Sequence, residues 1–194
     1  MRISDDRYNR DRSRLDLALR FIRHEARTHT IKVWTGLTDD RIRKLYRTYI
    51  ADASDCHVPR HRGKSPSQAA FFMRSPRLRQ ETGLLASMLL LFDVVPPETL
   101  SAQPPRTSPS VPRGSLLCEA FEAYRRLTPR PNITFEHAVF LCAVLLRGAE
   151  LRINACRDCG GIVVVDRLTL RTPTCTECQQ THAVHARPPA CRQR

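Results

Sequence analysis

Along the first third of the chain, apolar residues recur at the spacing of a helix face. Leu15, Ala18, Leu19, Ile22 and Ala26 stand at i, i+3, i+4, i+7 and i+11. That periodicity predicts one amphipathic helix over residues 13–33, with Arg20, Arg23 and Arg27 turned away from the apolar face. A second helix is predicted from Asp39 to about Ala51, with Thr38 as N-cap and Asp39 and Asp40 in the first turn, where the helix dipole favours them. Residues 52–80 show no period and are basic. They carry Arg60, Arg62, Lys64, Arg74, Arg77 and Arg79 against Asp52 and Asp55, and read as an irregular loop.

A third helix is predicted over about 80–94. It contains the longest apolar run, Gly83–Phe92, about half of what a bilayer crossing needs, so it reads as a buried helix. Prolines at 96, 97, 104, 105, 109 and 112 do not fit a helix interior, which makes 95–114 an extended linker. Two further helices are predicted near 115–127, through Leu117, Phe121 and Tyr124, and near 134–147, through Phe135, Val139, Leu141 and Leu145. Gly148 is the expected stop of the latter. Beyond it, "IVVV" and the alternating "LTLRT" read as strand-like. The expected fold is mainly α. A helical domain spans 1–148, with a helix-turn-helix-like pair at about 22–50, and a small module and tail span 149–194.

Cysteine spacing gives that module its chemistry. Cys156, Cys159, Cys175 and Cys178 spell C-x2-C, fifteen residues, C-x2-C. Two residues between thiols let both sulfurs reach one ion from a single tight turn, and a second turn closes a tetrahedron of thiolates. The segment between the pairs has the length of a hairpin that returns the chain to the first pair. Gly160 and Gly161 follow the first pair, where an unusual backbone angle or a close N–H approach to sulfur is tolerated. One structural zinc is the leading reading. A rubredoxin-like iron site and a dithiol redox pair are the competing ones. Four thiolates leave no open position for a catalytic water. Cys118 and Cys142 lie in apolar helical stretches and read as core, and His182 and His185 as solvated tail residues.

Charge adds a partner. The 194 residues hold 32 Lys plus Arg against 19 Asp plus Glu, a formal net charge of +13, which suits a polyanion. The stretch "TIKVWTGLTDDRIRKLYR" has the form of a helix-turn-helix: Ile31 ends one helix, Gly36 turns, and Leu37, Ile42 and Leu45 pack the second helix back. Its outer face would offer Thr38, Asp40, Arg41, Arg43, Lys44 and Arg47 to DNA, with Arg74, Arg77 and Arg79 as further contacts. The same pattern also describes an ordinary helical hairpin with a solvated charged face. The start of the chain shows no secretory signal, and the paired thiols read as those of a cytosolic protein.

Four stretches resemble the FlhC family, the larger subunit of the bacterial flagellar master transcriptional activator. They are "GLTDDRIRKLYR", "HRGKSPSQAAFFMRSPRLRQETGLLASML", "AYRRL" and "LRINACRDCGGIVVVDRLTLRTPTCTECQQ", which together run from about residue 15 to 180. The resemblance implies a helical body with a C-terminal zinc region held by Cys156, Cys159, Cys175 and Cys178. It implies activation of σ70-dependent flagellar promoters by a DNA-binding heterohexamer of four FlhD and two FlhC subunits, acting on RNA polymerase in the cytoplasm. Related subunits on mobile elements activate transfer genes. Two other function classes stand beside this one. A nucleic-acid enzyme would need clustered carboxylates or a nucleophile with its base, and the acidic residues here are scattered. A pure interaction subunit would stabilise a partner that itself binds DNA.

Overall fold

The computed structural model describes residues 5–51, 58–59, 61, 63–97 and 108–185. Among them are seven α-helices and one two-stranded sheet, so the expectation of a mainly helical chain holds. Residues Arg60 and Arg62 of the predicted basic loop, and Pro104 and Pro105 of the predicted linker, lie outside the described residues, as do Cys56 and Cys191.

The helix predicted over 13–33 is two helices, α1 (Asp5–Arg23) and α2 (Thr28–Thr35). The break falls at Glu25, whose φ is 61°. Ala26 N donates to Phe21 O (3.0 Å) and Glu25 N to Ile22 O (2.8 Å), the paired bonds that close a helix over a left-handed residue. No glycine announces this end. The start of α2 is capped from a distance: Glu136 accepts from Arg27 N (2.8 Å) and from the Thr30 hydroxyl (3.0 Å). The first of these satisfies a backbone N–H that the helix itself leaves open, and the second fixes the carboxylate in place.

Helix α1 buries Leu17, Ala18, Phe21 and Ile22, while Leu15 and Leu19 are only half-buried. The expected face was therefore rotated by about one residue. Arg20 is not solvated either. It lies half-buried and donates through Nε (2.9 Å) and Nη2 (2.8 Å) to the two oxygens of Glu122.

Gly36 takes φ 70° and ends α2, and α3 (Asp39–Tyr46) follows with Thr38 as its N-cap, accepting from Arg41 N. A π turn, Arg47–Ala51, extends it to the predicted end. Leu37, Ile42 and Leu45 are buried, as the hairpin reading requires.

The irregular stretch ends sooner than expected. A 3-10 turn occupies Ala69–Met73, and α4 runs Pro76–Leu91, so Arg77 and Arg79 are helical. Ser75 caps α4 by accepting from Leu78 N (3.2 Å), and Pro76 stands in the first turn, where its missing N–H costs nothing. The same physics corrects the linker. Helix α5 is Val111–Leu127, with Pro112 in its first turn, so the linker as drawn to 114 is too long. Helix α6 is Phe135–Arg147, capped by Thr134 and ended at Gly148 as predicted.

The core joins these helices through aromatic rings. Phe135 meets Phe21 edge-on (centroids 4.9 Å) and Phe121 likewise (5.2 Å). Each such fully buried ring contributes about 1.5–3 kcal/mol relative to exposure. Cys118 and Cys142 are buried in this core, and burial pushes both thiols up to about 12. They are inert fillers, as expected.

The C-terminal hairpin pairs β1 (Leu151–Ala155) with β2 (Ile162–Asp166) antiparallel, Ala155 opposite Ile162 and Leu151 opposite Asp166. Leu151, Ile153 and Val164 join the helical core. Strand β2 lies against α4 at Gly83, where a Cβ would stand 3.0 Å from Ile162 O. Any side chain there would need the Ile162 carbonyl to give by a few tenths of an ångström.

Candidate metal centre and basic surfaces

Both strands exist to present the first thiol pair. The turn between them is Cys156–Gly161, closed by Cys156 N donating to Gly161 O (2.7 Å) and Gly160 N to Cys156 O (2.9 Å). Gly160 has φ 71°, and the Gly161 amide donates to Cys159 Sγ (3.4 Å), so both glycines do what the sequence assigned to them. The hairpin therefore brackets the first pair instead of lying between the two pairs. "LTLRT" is no strand. Asp166 accepts from Leu168 N (2.8 Å) and Thr169 N (3.0 Å) to make a turn, leaving Leu168 84% and Leu170 98% exposed. The second pair sits at the start of α7 (Thr176–His185): Cys175 just before it, Cys178 in its first turn.

The two halves are locked by Arg157 N donating to Pro173 O (2.9 Å) and Cys175 N to Cys156 Sγ (3.2 Å). His182, expected as a free tail residue, is exposed but lies on α7 and pairs with Asp158 (3.2 Å), the residue before Cys159. Gln80 donates to Glu177 (2.9 Å) and ties α7 to α4.

All four sulfurs lie within 4.8 Å of one another, and Cys159 and Cys175 are 3.7 Å apart. A tetrahedral thiolate site with metal–sulfur bonds of about 2.3 Å has sulfur–sulfur edges of about 3.8 Å. The donor set is thus gathered to the size of one metal ion. Hydrogen bonding grades the thiols. The amides of Cys175 and then Cys159 push the Cys156 thiol down to about 6, whereas hydrogen bonds with the Cys175 and Cys159 sulfurs push Cys178 up. A metal ion held by Cys156, Cys159, Cys175 and Cys178 would offset the repulsion between their sulfurs and favour thiolate ligands.

The predicted DNA contacts fall into two groups on separate helices. Thr38, Asp40, Arg41, Arg43, Lys44 and Arg47 are all exposed along α3 and its π turn. Asp40 and Arg43 neutralise each other at 3.0 Å. Arg41, Lys44 and Arg47 have no acidic partner among the described residues. Tyr49, 59% exposed on the same turn, was not singled out from the sequence, because an isolated tyrosine in a basic stretch gives no signal of its own.

The second group, Arg74, Arg77 and Arg79, is exposed at the start of α4. Arg74 donates to Gln68 (3.4 Å) and its guanidinium stands 5.9 Å from the Phe71 centroid. Arg77 donates Nε to Glu81 (3.0 Å) and Nη2 to Arg130 O (2.7 Å).

Glu81 is the organising group here. It is 5% exposed, and each oxygen accepts twice. Oε2 takes Tyr124 Oη (2.7 Å) and Asn132 N (2.8 Å), and Oε1 takes Asn132 Nδ2 (2.7 Å) and Arg77 Nε. Burial pushes the carboxyl up, but the Tyr124 hydroxyl and the Asn132 donors outweigh it and hold the group below its usual range. A single glutamate in "RQETG" carries no sequence mark of this role.

No helix among the described residues is long and apolar enough to cross a membrane. Comparison with family models and with curated proteins gives no match to this chain.

Proposed function

We propose that the chain is a DNA-binding subunit of a bacterial transcriptional activator, with one structural zinc held by Cys156, Cys159, Cys175 and Cys178. The observation that carries the DNA reading is the α2–α3 pair. Gly36 turns the chain, Ile42 and Leu45 anchor α3, and Arg41, Lys44 and Arg47 stand outward without acidic partners among the described residues. That is how a recognition helix is offered to a groove. The resemblance of the quoted stretches to the FlhC family supplies the finer reading. On it, the chain joins FlhD-type subunits, two copies with four, in a cytoplasmic heterohexamer that recruits RNA polymerase to σ70-dependent promoters of flagellar or transfer operons. The chain itself performs no reaction in this account.

Zinc suits four thiolates because it is redox-inert and tetrahedral, and when bound it cross-links the β1–β2 turn to α7. The test of the DNA reading is Arg41→Ala with Lys44→Ala in the assembled complex. The reading predicts loss of promoter affinity, whereas unchanged affinity would remove α3 as a recognition element.

One observation favours the alternative, an interaction subunit. Leu168 and Leu170 are exposed, and Leu168 lines a groove of about 740 Å³ together with Ala69, Met73, Val163 and Val165 among others. Among the described residues of this module, Arg152, Arg157, Arg167 and Arg171 are matched by Glu150, Asp158, Asp166 and Glu177, which suits protein better than phosphate. Leu168→Asp with Leu170→Asp that abolishes co-purification of a partner, with DNA affinity intact, would support that reading.

A further inference from the structure

The four sulfurs of the metal centre are not equally hidden. Cys156 is 3% exposed and Cys175 and Cys178 are half-buried, whereas Cys159 is exposed. The local fold keeps the Cys159 sulfur bare. Gly160 and Gly161 follow it without side chains, and a Cβ at Gly161 would stand 3.3 Å from that sulfur. A thiol in such a place meets small solutes that the buried thiols of Cys118 and Cys142 do not.

An exposed sulfur is oxidised reversibly when a second sulfur stands ready to close on it. Cys175 Sγ lies 3.7 Å from Cys159 Sγ, across the join between the β1–β2 turn and the start of α7. A disulfide bond is about 2.05 Å long, so the two sulfurs need to approach by about 1.7 Å. The other two sulfurs are worse placed to answer. Cys156 is buried and its Sγ accepts from Cys175 N (3.2 Å), while Cys178 is fixed within the first turn of α7. Cys175 stands just before that helix and is half-buried.

We propose that Cys159 is an oxidation site for hydroperoxides, with Cys175 as its resolving partner. The inference rests on the structural-metal reading above and gives that centre a second, redox-controlled state. The Cys159 thiolate attacks one peroxide oxygen, the S–O bond forms, the O–O bond breaks, and hydroxide or alkoxide leaves. The Cys175 thiolate then attacks the sulfenic sulfur, the S–S bond forms, the S–O bond breaks, and hydroxide leaves. The two sulfurs give up two electrons and the peroxide takes them. Two of the four ligands are thereby consumed, so the metal ion is released, while the disulfide keeps the turn and α7 joined. A dithiol reductant restores both cysteines by exchange.

The test uses the full wild-type chain, purified under reducing conditions with any subunit that accompanies it, and hydrogen peroxide as the probe. Metal content is measured first. Peroxide is then added in steps, metal release is followed with a chromophoric chelator, and the remaining thiols are alkylated so that mass spectrometry maps every disulfide. The expected first product is the Cys159–Cys175 disulfide, formed in step with loss of the metal and reversed by dithiothreitol with added Zn2+. Dimedone present during the oxidation should mark Cys159 ahead of the other three, and Cys118 and Cys142 should stay reduced. A first disulfide of any other pairing overturns the assignment while the metal reading stands. So does a dimedone mark that falls first on Cys156, Cys175 or Cys178. So does a centre that keeps its metal and thiols at a peroxide concentration that oxidises free cysteine in the same solution. A purified chain that holds no metal overturns the metal reading and this inference with it.

Discussion

Removing the Tyr124 hydroxyl should measurably loosen the whole helical body. Tyr124 is fully buried, and its Oη donates to Glu81 Oε2 at 2.7 Å. Tyr124→Phe keeps the ring and removes one hydrogen bond to a buried charge, worth about 1.5–3 kcal/mol. Glu81→Gln is harsher. A carboxamide offers one accepting oxygen where the carboxylate offers two, so whichever way it turns, its NH2 faces two donors. It faces Tyr124 Oη and Asn132 N, or Asn132 Nδ2 and Arg77 Nε. With its NH2 toward Tyr124, whose hydroxyl can turn to accept, the Asn132 N–H is still left facing a donor and the charge on Arg77 loses its partner. That places the cost at about 3–5 kcal/mol. For a chain of this length each kcal/mol moves Tm by about 2–4 °C. Thermal unfolding followed by circular dichroism at neutral pH should therefore show a drop of about 3–12 °C for Tyr124→Phe and a larger one for Glu81→Gln. A change under about 1 °C in both, or a milder effect for Glu81→Gln than for Tyr124→Phe, would refute the argument that this carboxylate organises α4, α5 and the following loop.

Metal analysis of the purified protein should find one metal ion per chain, and chelation should lower Tm by melting the β1–β2 turn and the start of α7; an unchanged melting curve would count against a structural role. Acid should weaken the α1–α5 contact in a set order. His24 is buried and held below its usual range by desolvation, so the unfolded chain binds the extra proton first and stability falls as pH drops below about 6.5. Glu122, held down to about 2 by the Arg20 hydrogen bonds, adds a second loss as pH falls from its unfolded value of about 4.3 toward 2. Glu122→Gln should flatten that lower limb in denaturant titrations at successive pH values, and an unchanged limb would refute the assignment. Gly83→Ala sets a Cβ 3.0 Å from Ile162 O, so β2 must shift by a few tenths of an ångström against the ~1 kcal/mol that alanine gains over glycine inside a helix. A lowered urea midpoint shows that the strand is held rigidly there, and an unchanged or raised one shows that it yields.

What the sequence made legible was local. Thr38 and Thr134 cap the helices they precede, Gly36 and Gly148 end helices, and the spacing of the four cysteines matches sulfurs that the fold gathers within 4.8 Å. The misses share one cause, which is that the deciding group is distant in sequence. The break between α1 and α2 is held by Glu136 from α6, and no residue at 23–28 marks it. The Glu81 hub needs Tyr124 from α5 and Asn132 from the loop after it. Pro112 was read as part of the linker, and Pro76 fell within the stretch read as an irregular loop, when each starts a helix; a first-turn proline and an interior one look alike without the cap in place. Strand β1 was overlooked although Leu151, Ile153 and their exposed neighbour Arg152 alternate as a half-buried strand should. Five residues leave that period little length to declare itself.

The most direct test of the central claim is a genome-wide immunoprecipitation of DNA crosslinked to a tagged copy in the native host, run beside a Cys156→Ser copy. The account predicts sharp peaks upstream of flagellar or transfer operons for the wild type and their loss in the serine copy, because an incomplete thiolate set unfastens the module. Diffuse or absent enrichment for the wild type would contradict the promoter-binding claim, and sharp peaks that persist in the serine copy would contradict the tie between the metal centre and DNA binding.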